Sequence, residues 1–178
     1  AISILMEGNK KFVGENSQRG DISREIRLET SKNGQHPYAI VITCSDSRVI
    51  PEAVFNAGIG ELFVIRVAGN VIDRHQLGSI EYASEHLGTK LIMVLGHTHC
   101  GAVDSAINHE PGGYVKYITD DIRKAIGLER DPYRASCLNV KHCVSTIESS
   151  LMIQQEEKEG LVVAGAIYDI ETGEVKLL

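Results

Sequence analysis

The fold is decided by the stretch Tyr38-Ala39-Ile40-Val41-Ile42-Thr43-Cys44, an uninterrupted apolar run of strand length. Such runs, rich in β-branched residues and without alternation, indicate strands that are buried on both faces of a parallel sheet. Similar runs recur along the chain, at residues 61–67, 90–95 and 161–170. Between the second and third runs, residues 76–86 repeat apolar positions at three- and four-residue steps, which predicts a helix ended by Gly88.

Outside these runs, residues 114–128 and 133–157 are expected to be helices, and residues 175–178 a short last strand. Residues 1–16 form an amphipathic helix that must dock on the sheet or on a partner subunit. Residues 17–36 are polar and include a turn signal at Asn33-Gly34. The predicted class is α/β: a mainly parallel central sheet flanked by helices, with an antiparallel C-terminal edge strand and an N-terminal docking helix.

Length and composition restrict the function. A chain of 178 residues predicts one domain, 1–178, and 43% hydrophobic residues are enough for an ordinary core. A net charge of −6 without a basic stretch argues against a nucleic-acid partner, and the apolar runs are too short for a membrane partner. The N-terminal stretch lacks the pattern of a signal peptide. The domain is large enough to be stable without disulfide bonds, so its four cysteines favour a role as free thiols or metal ligands in the cytoplasm.

Chemistry-bearing residues follow two of the predicted strands. The first strand runs into Cys44-Ser45-Asp46-Ser47-Arg48, and the third into Gly96-His97-Thr98-His99-Cys100-Gly101. Because ligands bind outside the carboxyl ends of parallel strands, these side chains should meet. Two thiolates and one imidazole are three ligands for tetrahedral zinc. The sequence therefore predicts a zinc site made of Cys44, His97 and Cys100.

Simpler interpretations stay open beside this one. A cysteine at a strand end is often a small buried hydrophobe, and Asp46 with Arg48 would also suit a structural salt bridge. Cys137 is expected in the core and Cys143 one position off its helix face, where a second metal site with His142 is not favoured. His99 is expected to point away from the site. A Cys-x5-Arg phosphate loop is excluded because Ile50 stands where the arginine would be needed. A dinucleotide-binding fingerprint is excluded because Gly58-Ile59-Gly60 is not followed by the third glycine.

The two strand-end motifs resemble the signatures of the β-class carbonic anhydrases. The likeness continues over most of the chain, at residues 5–12, 35–37, 80–83 and 168–173. It implies one zinc ion per chain on Cys44, His97 and Cys100, with Asp46 and Arg48 as the catalytic pair. It also implies a set of substrate-binding residues, namely Gln35, Phe63, Ala68, Tyr82 and Gly101. Two positions depart from the family pattern, Val67 and Ala102.

The resemblance implies zinc-dependent reversible hydration of carbon dioxide to bicarbonate and a proton, with zinc-bound hydroxide as nucleophile. Asp46 would accept a proton from the nucleophile and orient it, and Gln35 would donate a hydrogen bond to the charged oxygen of the product. An unpaired Asp46 would be drawn to the cation and could become a fourth ligand in a closed state. Arg48, which can bind both carboxylate oxygens, competes with the metal for it.

Two alternatives to this function remain. Carbonyl sulfide and carbon disulfide are also linear, so their hydrolysis on the same zinc site is compatible with the motifs. A non-catalytic zinc site closed by four ligands is the other. The resemblance further implies a homodimer or a higher multiple of dimers, because the leading helix packs on a partner in this family.

Overall fold

The computed structural model describes residues 1–14 and 20–178, and its centre is a five-stranded sheet. The strands lie in the order β2-β1-β3-β4-β5, where β1 to β4 are mutually parallel and β5 is antiparallel to β4. This arrangement confirms the predicted α/β class with its antiparallel edge strand. The strand bounds are β1 Ala39–Thr43, β2 Leu62–Arg66, β3 Leu91–His97, β4 Val162–Tyr168 and β5 Val175–Leu177.

The two central strands carry the site. Every residue of β1 and β3 is buried, as their continuous apolar sequences predict, whereas β2 at the edge is only half-buried. β1 and β3 are direct neighbours, and Thr43 pairs with Leu95. The Thr43 hydroxyl also donates a hydrogen bond of 2.7 Å to the Leu95 carbonyl. The carboxyl ends of the two strands are therefore tied together.

Helices cover both faces of the sheet. One face packs against α1 and α3, and the other against α4, α7 and α8. A third apolar cluster lies beyond the carboxyl ends of the strands and is formed by α5, α6 and the start of α7. The helix bounds are α1 Ile2–Val13, α2 Arg24–Asn33, α3 Pro51–Val54, α4 Arg74–Glu85, α5 Gly101–Asn108, α6 Val115–Ile126, α7 Pro132–Glu148 and α8 Leu151–Lys158. None of the helices in the described ranges is long and apolar enough to cross a membrane.

The predicted N-terminal helix is present as α1, and two of its residues fix how it docks. Gly8 lies so close to α3 that an added Cβ would be 1.9 Å from the Phe55 carbonyl oxygen. The buried Asn9 amide donates to the Val54 and Gly173 carbonyls, at 3.2 and 2.8 Å, and accepts from the Val175 amide at 2.9 Å. The end of the predicted range, residues 15–16, lies outside the described residues.

The polar stretch at residues 17–36, for which the sequence predicts no helix, contains α2, and residues 17–19 of it lie outside the described residues. Ser23 caps this helix by accepting a hydrogen bond of 3.2 Å from the Ile26 amide, and Gly34 ends it with φ at +80°. No residue of α2 is buried. Its apolar residues are Ile26 and Leu28 alone, too few for the stripe from which a surface helix is recognised.

The single helix expected over residues 133–157 is two helices, α7 and α8. Ser150 lies between them and caps α8 through a 3.4 Å hydrogen bond from the Ile153 amide. The chain turns here, so Leu151 does not continue the buried face and is 82% exposed. The expected face of α7 is also rotated, because Cys143 is buried whereas Cys137 is only partly covered.

Candidate metal centre

Three predicted ligands converge at the carboxyl end of the sheet. Cys44 follows β1, His97 is the last residue of β3, and Cys100 immediately precedes α5. One ligand atom from each residue lies within 4.8 Å of the others, and all three residues are buried. Adjacent parallel strands thus bring together residues that are 53 positions apart in the chain, as their places at the strand ends predict.

The His97 ring is prepared for a metal ion. Its Nδ1 lies 2.8 Å from the Thr98 carbonyl oxygen, which can only accept, so Nδ1 carries the proton and donates. That tautomer leaves a lone pair on Nε2. Nε2 is buried and has no hydrogen-bond partner among the described residues. A histidine fixed through one nitrogen and bare at the other is the usual arrangement of a metal-ligating imidazole.

The two thiols, Cys44 and Cys100, have pKa values that are shifted in opposite directions. Their mutual hydrogen bond lowers the pKa of the Cys44 thiol and raises that of Cys100. The contact with His97 and the backbone amides of Gly69 and Asp46 lower the pKa of Cys44 further, whereas burial adds to the increase for Cys100. The opposite directions describe one proton held between two sulfurs. A soft divalent cation would replace that proton and keep both as thiolates.

Asp46 and Arg48 form the predicted pair beside these ligands. Arg48 donates from Nε and Nη2 to the two Asp46 carboxylate oxygens, at 2.9 and 2.7 Å. The Arg48 backbone amide adds a hydrogen bond of 3.0 Å to the same carboxylate. These donors hold the pKa of Asp46 well below its usual range. The cluster of possible metal ligands contains Cys44, His97 and Cys100 but not Asp46. The Asp46 carboxylate is bound to Arg48 instead.

Arg66, the last residue of β2, also holds this turn, and sequence reasoning did not single it out. Its Nη2 donates to the Asp46 carbonyl at 2.7 Å and its Nε to the Cys44 carbonyl at 3.2 Å. Its position at the carboxyl end of the strand beside β1 is the signal that could have identified it. The backbone that carries Cys44 and Asp46 is thus fixed from a neighbouring strand.

The remaining predicted site residues fall into two groups. Ala68, in a 3₁₀ turn after β2, and Gly101, directly after Cys100, lie at the metal end of the sheet. Phe63 pairs with Ile40 near the start of β1, about 13 Å from the Cys44 end at 3.3 Å per residue.

The other two predicted pocket residues, Tyr82 and Gln35, also lie away from the carboxyl end of β1. The ring of Tyr82 lies 6.3 Å from that of Phe63, between centroids. Gln35 is exposed and precedes β1. One chain therefore does not bring Gln35, Phe63 and Tyr82 to its own metal centre.

His99 occupies the turn between His97 and Cys100 but its side chain leaves the site. The residue is in the left-handed region, with φ at +55°. Its ring is mostly exposed and lies 3.5 Å from the Glu171 carboxylate. The His99 carbonyl instead accepts a hydrogen bond of 3.0 Å from Arg48. Its contribution to the site is thus a backbone oxygen.

Comparison with known proteins agrees with this geometry. A family model described as carbonic anhydrase matches residues 39–175. "Carbonic anhydrase 2" of Mycobacterium tuberculosis is 35% identical over 189 aligned positions, which cover 99% of this chain and 91% of the relative. "Carbonic anhydrase" of Pseudomonas aeruginosa is 49% identical over 164 positions, covering 81% of this chain and 74% of the relative.

Solved structures show the same fold. The β-carbonic anhydrase CafA of Aspergillus fumigatus superposes with a TM-score of 0.81 at 30% identity, over 99% of this chain and 90% of that one. A β-carbonic anhydrase of Sordaria macrospora, described as tetrameric, superposes with a TM-score of 0.74 at 27% identity, over 86% and 91% of the two chains.

Proposed function

The chain belongs to the β-class carbonic anhydrases, zinc enzymes that hydrate carbon dioxide reversibly to bicarbonate and a proton, and we propose that Cys44, His97 and Cys100 hold its zinc ion. The observation that carries the assignment is the buried Nε2 of His97, which lacks a partner among the described residues and lies beside two sulfurs. When bound, zinc lowers the pKa of a coordinated water and supplies the nucleophile for carbon dioxide.

Asp46 orients the nucleophile in this proposal. Its low pKa keeps the carboxylate ionised at neutral pH, so it can only accept hydrogen bonds. A carboxylate beside the metal ligands can accept a hydrogen bond from the attacking oxygen and so direct a lone pair of that oxygen at the substrate. Its support is the position of Asp46, two residues after Cys44, and the two short hydrogen bonds that fix its orientation.

Arg48 keeps Asp46 in that role. Both carboxylate oxygens are bound by the guanidinium, which competes with any attraction of the carboxylate to the cation. The same Arg48 reaches the His99 carbonyl, so the guanidinium also bridges the two ligand-bearing loops. Movement of Asp46 from Arg48 to the metal would close the site, and this remains the proposed inactive arrangement.

A second copy of the chain completes the substrate pocket in this proposal. Gln35, Phe63 and Tyr82 lie toward the amino end of the sheet, too far from the Cys44 of their own chain to line one pocket. If they bind substrate, they do so at the metal centre of a partner. We therefore propose a homodimer or a multiple of it, in line with the relative described as tetrameric. Gln35 then donates its amide hydrogen to the oxygen that becomes negatively charged.

A cytoplasmic location belongs to the same proposal. Its support is cysteine chemistry, because all four cysteines lie within the described residues and are free thiols. Thiols persist in reducing compartments.

The proposal is tested on purified protein by metal analysis and stopped-flow carbon dioxide hydration. We expect one zinc ion per chain and hydration that is lost together with zinc in Cys44→Ala. Cys137→Ala is the matched control, since Cys137 lies away from the ligand group. Fully retained zinc in Cys44→Ala would refute the ligand assignment. Stoichiometric zinc without hydration between about pH 6 and 9 would refute the catalytic role, and faster turnover of carbonyl sulfide or carbon disulfide would change the substrate.

A further inference from the structure

One backbone amide outside the ligand motifs contacts a ligand sulfur. The Gly69 amide, in the 3₁₀ turn after β2, donates a hydrogen bond of 3.2 Å to the Cys44 Sγ. Gly69 has φ at +66°, a conformation that L side chains rarely adopt. A Cβ added there would lie 2.7 Å from Ile122 Cδ1 and 3.0 Å from Ala102 Cβ. The turn is therefore shaped so that its amide can approach the sulfur.

Two side chains of helix α7, one helical turn apart, donate hydrogen bonds to backbone carbonyls of this 3₁₀ turn. Asn139, which is 1% exposed, donates from Nδ2 to the Gly69 carbonyl at 2.8 Å. Cys143, also buried, donates from Sγ to the Asn70 carbonyl at 3.3 Å. The peptide groups of two consecutive turn residues are thus bound by a helix that contributes no metal ligand.

We propose that Asn139 is a positioning residue of the zinc site, acting through Gly69 on the Cys44 sulfur. The Asn139 amide fixes the peptide that joins Gly69 to Asn70, through the Gly69 carbonyl. The 3₁₀ turn is closed by a 2.9 Å hydrogen bond from the Asn70 amide to the Val67 carbonyl, and this closure together with the backbone angles of Gly69 then sets the direction of the Gly69 N–H in the preceding peptide. Donors to a metal-bound ligand set its orientation and its electron donation, and their loss typically costs about 10–100-fold in metal affinity or activity. The proposal rests on the ligand role of Cys44 given above.

A buried polar residue with this contact has a simpler explanation, a stabilising hydrogen bond within the core. The two explanations differ in what they change. A core hydrogen bond affects the free energy of unfolding alone, whereas a positioning residue also changes the sulfur–metal bond in molecules that remain folded. The test therefore needs a signal from that bond.

The experiment compares Asn139→Leu, of similar volume but without the amide, with Ile147→Ala on the same helix. Ile147 is fully buried and far along α7 from Asn139, so the control lowers stability without touching Gly69. The zinc dissociation constant is measured by competition with a chelator on protein that circular dichroism shows to be folded. We expect an increase of about tenfold for Asn139→Leu and no change for the control.

Cobalt substitution supplies the second readout. Loss of the N–H···S bond leaves the Cys44 thiolate richer in electrons, so the sulfur-to-cobalt charge-transfer band should move to longer wavelength in Asn139→Leu. Gly69→Ala, in which the turn must shift to relieve the contacts of the new Cβ, should move it in the same direction. Asn139→Ala, a smaller change at the same position that also removes the hydrogen bond to the Gly69 carbonyl, keeps the test decisive should Asn139→Leu fail to fold.

The outcomes separate this inference from the proposed function. Wild-type protein that binds zinc, together with folded variants whose zinc affinity and cobalt band match it, would overturn the role of Asn139 alone. An equal change in Ile147→Ala would also overturn it, by showing a general loss of stability. Wild-type protein that binds no zinc would overturn both.

Discussion

In the proposed mechanism Asp46 depends on its neighbour Arg48, since a carboxylate two residues from the proposed ligand Cys44 could otherwise bind the ion itself. We expect Asp46→Asn to retain zinc, because the three proposed ligands are untouched, but to lower kcat/KM for carbon dioxide by about 100-fold, since a neutral amide is a weaker hydrogen-bond acceptor than a carboxylate. Metal analysis and stopped-flow kinetics measure the two quantities. Asp104→Asn, an exposed carboxylate four residues after Cys100, is the control. Unchanged turnover would remove Asp46 from the mechanism.

Tyr38 gives a prediction for stability at alkaline pH. Burial and the nearby Glu61 raise the pKa of its phenol to about 12. Because the folded state disfavours the phenolate, its contribution to stability is complete below pH about 10 and is lost as the pH rises toward 12. We expect the free energy of unfolding in urea to fall less steeply over this interval in Tyr38→Phe. Parallel curves for both proteins would contradict the assignment.

Single residues of the site were predictable to different degrees. Cys44, His97 and Cys100 could be assigned because their types are those of zinc ligands and because each lies at a strand end. Arg66 offered only its place at the carboxyl end of β2. Gly69 offered no signal, since a glycine specifies no partner and its contact with Cys44 exists only once β2 lies beside β1. The tautomer of His97 likewise depends on a local carbonyl, that of Thr98.

Among the elements, α1 depends on one buried amide for its docking. The three hydrogen bonds of Asn9 join this helix to α3 and to the β4–β5 turn. Asn9→Ala removes them and leaves buried backbone groups unpaired, so we expect a loss of about 2–4 kcal/mol in the free energy of unfolding. Lys10→Ala, on the adjacent exposed position, should stay within about 0.5 kcal/mol. Urea denaturation measures the free energy of unfolding of both variants. Equal denaturation midpoints for Asn9→Ala and Lys10→Ala would show that Asn9 does not hold α1 in place.

The elements that escaped prediction are those without a long apolar period. α2 buries nothing, and α3 has only four residues, so neither offers a repeat to recognise. α5 begins at Gly101, a residue that is typical of loops. The division between α7 and α8 rests on the single cap Ser150, which interrupts a pattern that otherwise continues. The strands were predictable because burial on both faces leaves uninterrupted apolar runs.

For the whole molecule, the separation of Gln35 from Cys44 predicts that mutant chains can complement each other. Asp46→Asn damages the site on its own chain, whereas Gln35→Ala would damage the site of a partner. Unfolding and refolding a mixture of the two inactive proteins should form mixed dimers in which one site is intact, with activity above that of either parent. Each variant refolded alone is the control. Activity that never exceeds the parents would place Gln35 outside the partner's pocket.

The placement of the predicted pocket residues was less accessible to sequence than the fold. The α/β class followed from strand-like runs alternating with helical periods. Whether Gln35, Phe63 and Tyr82 share a pocket with Cys44 depends on the end of the sheet at which each lies. The spacing of residues along the chain does not tell at which end of the sheet each one lies, because polar segments both precede and follow a parallel strand.

The pairing of β1 with β3 also bears on the order in which the protein matures. Cys44 and His97 are brought together by strand pairing and by the Thr43–Leu95 hydrogen bond, interactions of the polypeptide itself. Small zinc-finger domains, by contrast, need the ion in order to fold. We therefore expect the sheet to form before zinc binds, so that protein made under scarcity of the metal would stay folded and would gain activity when zinc is added.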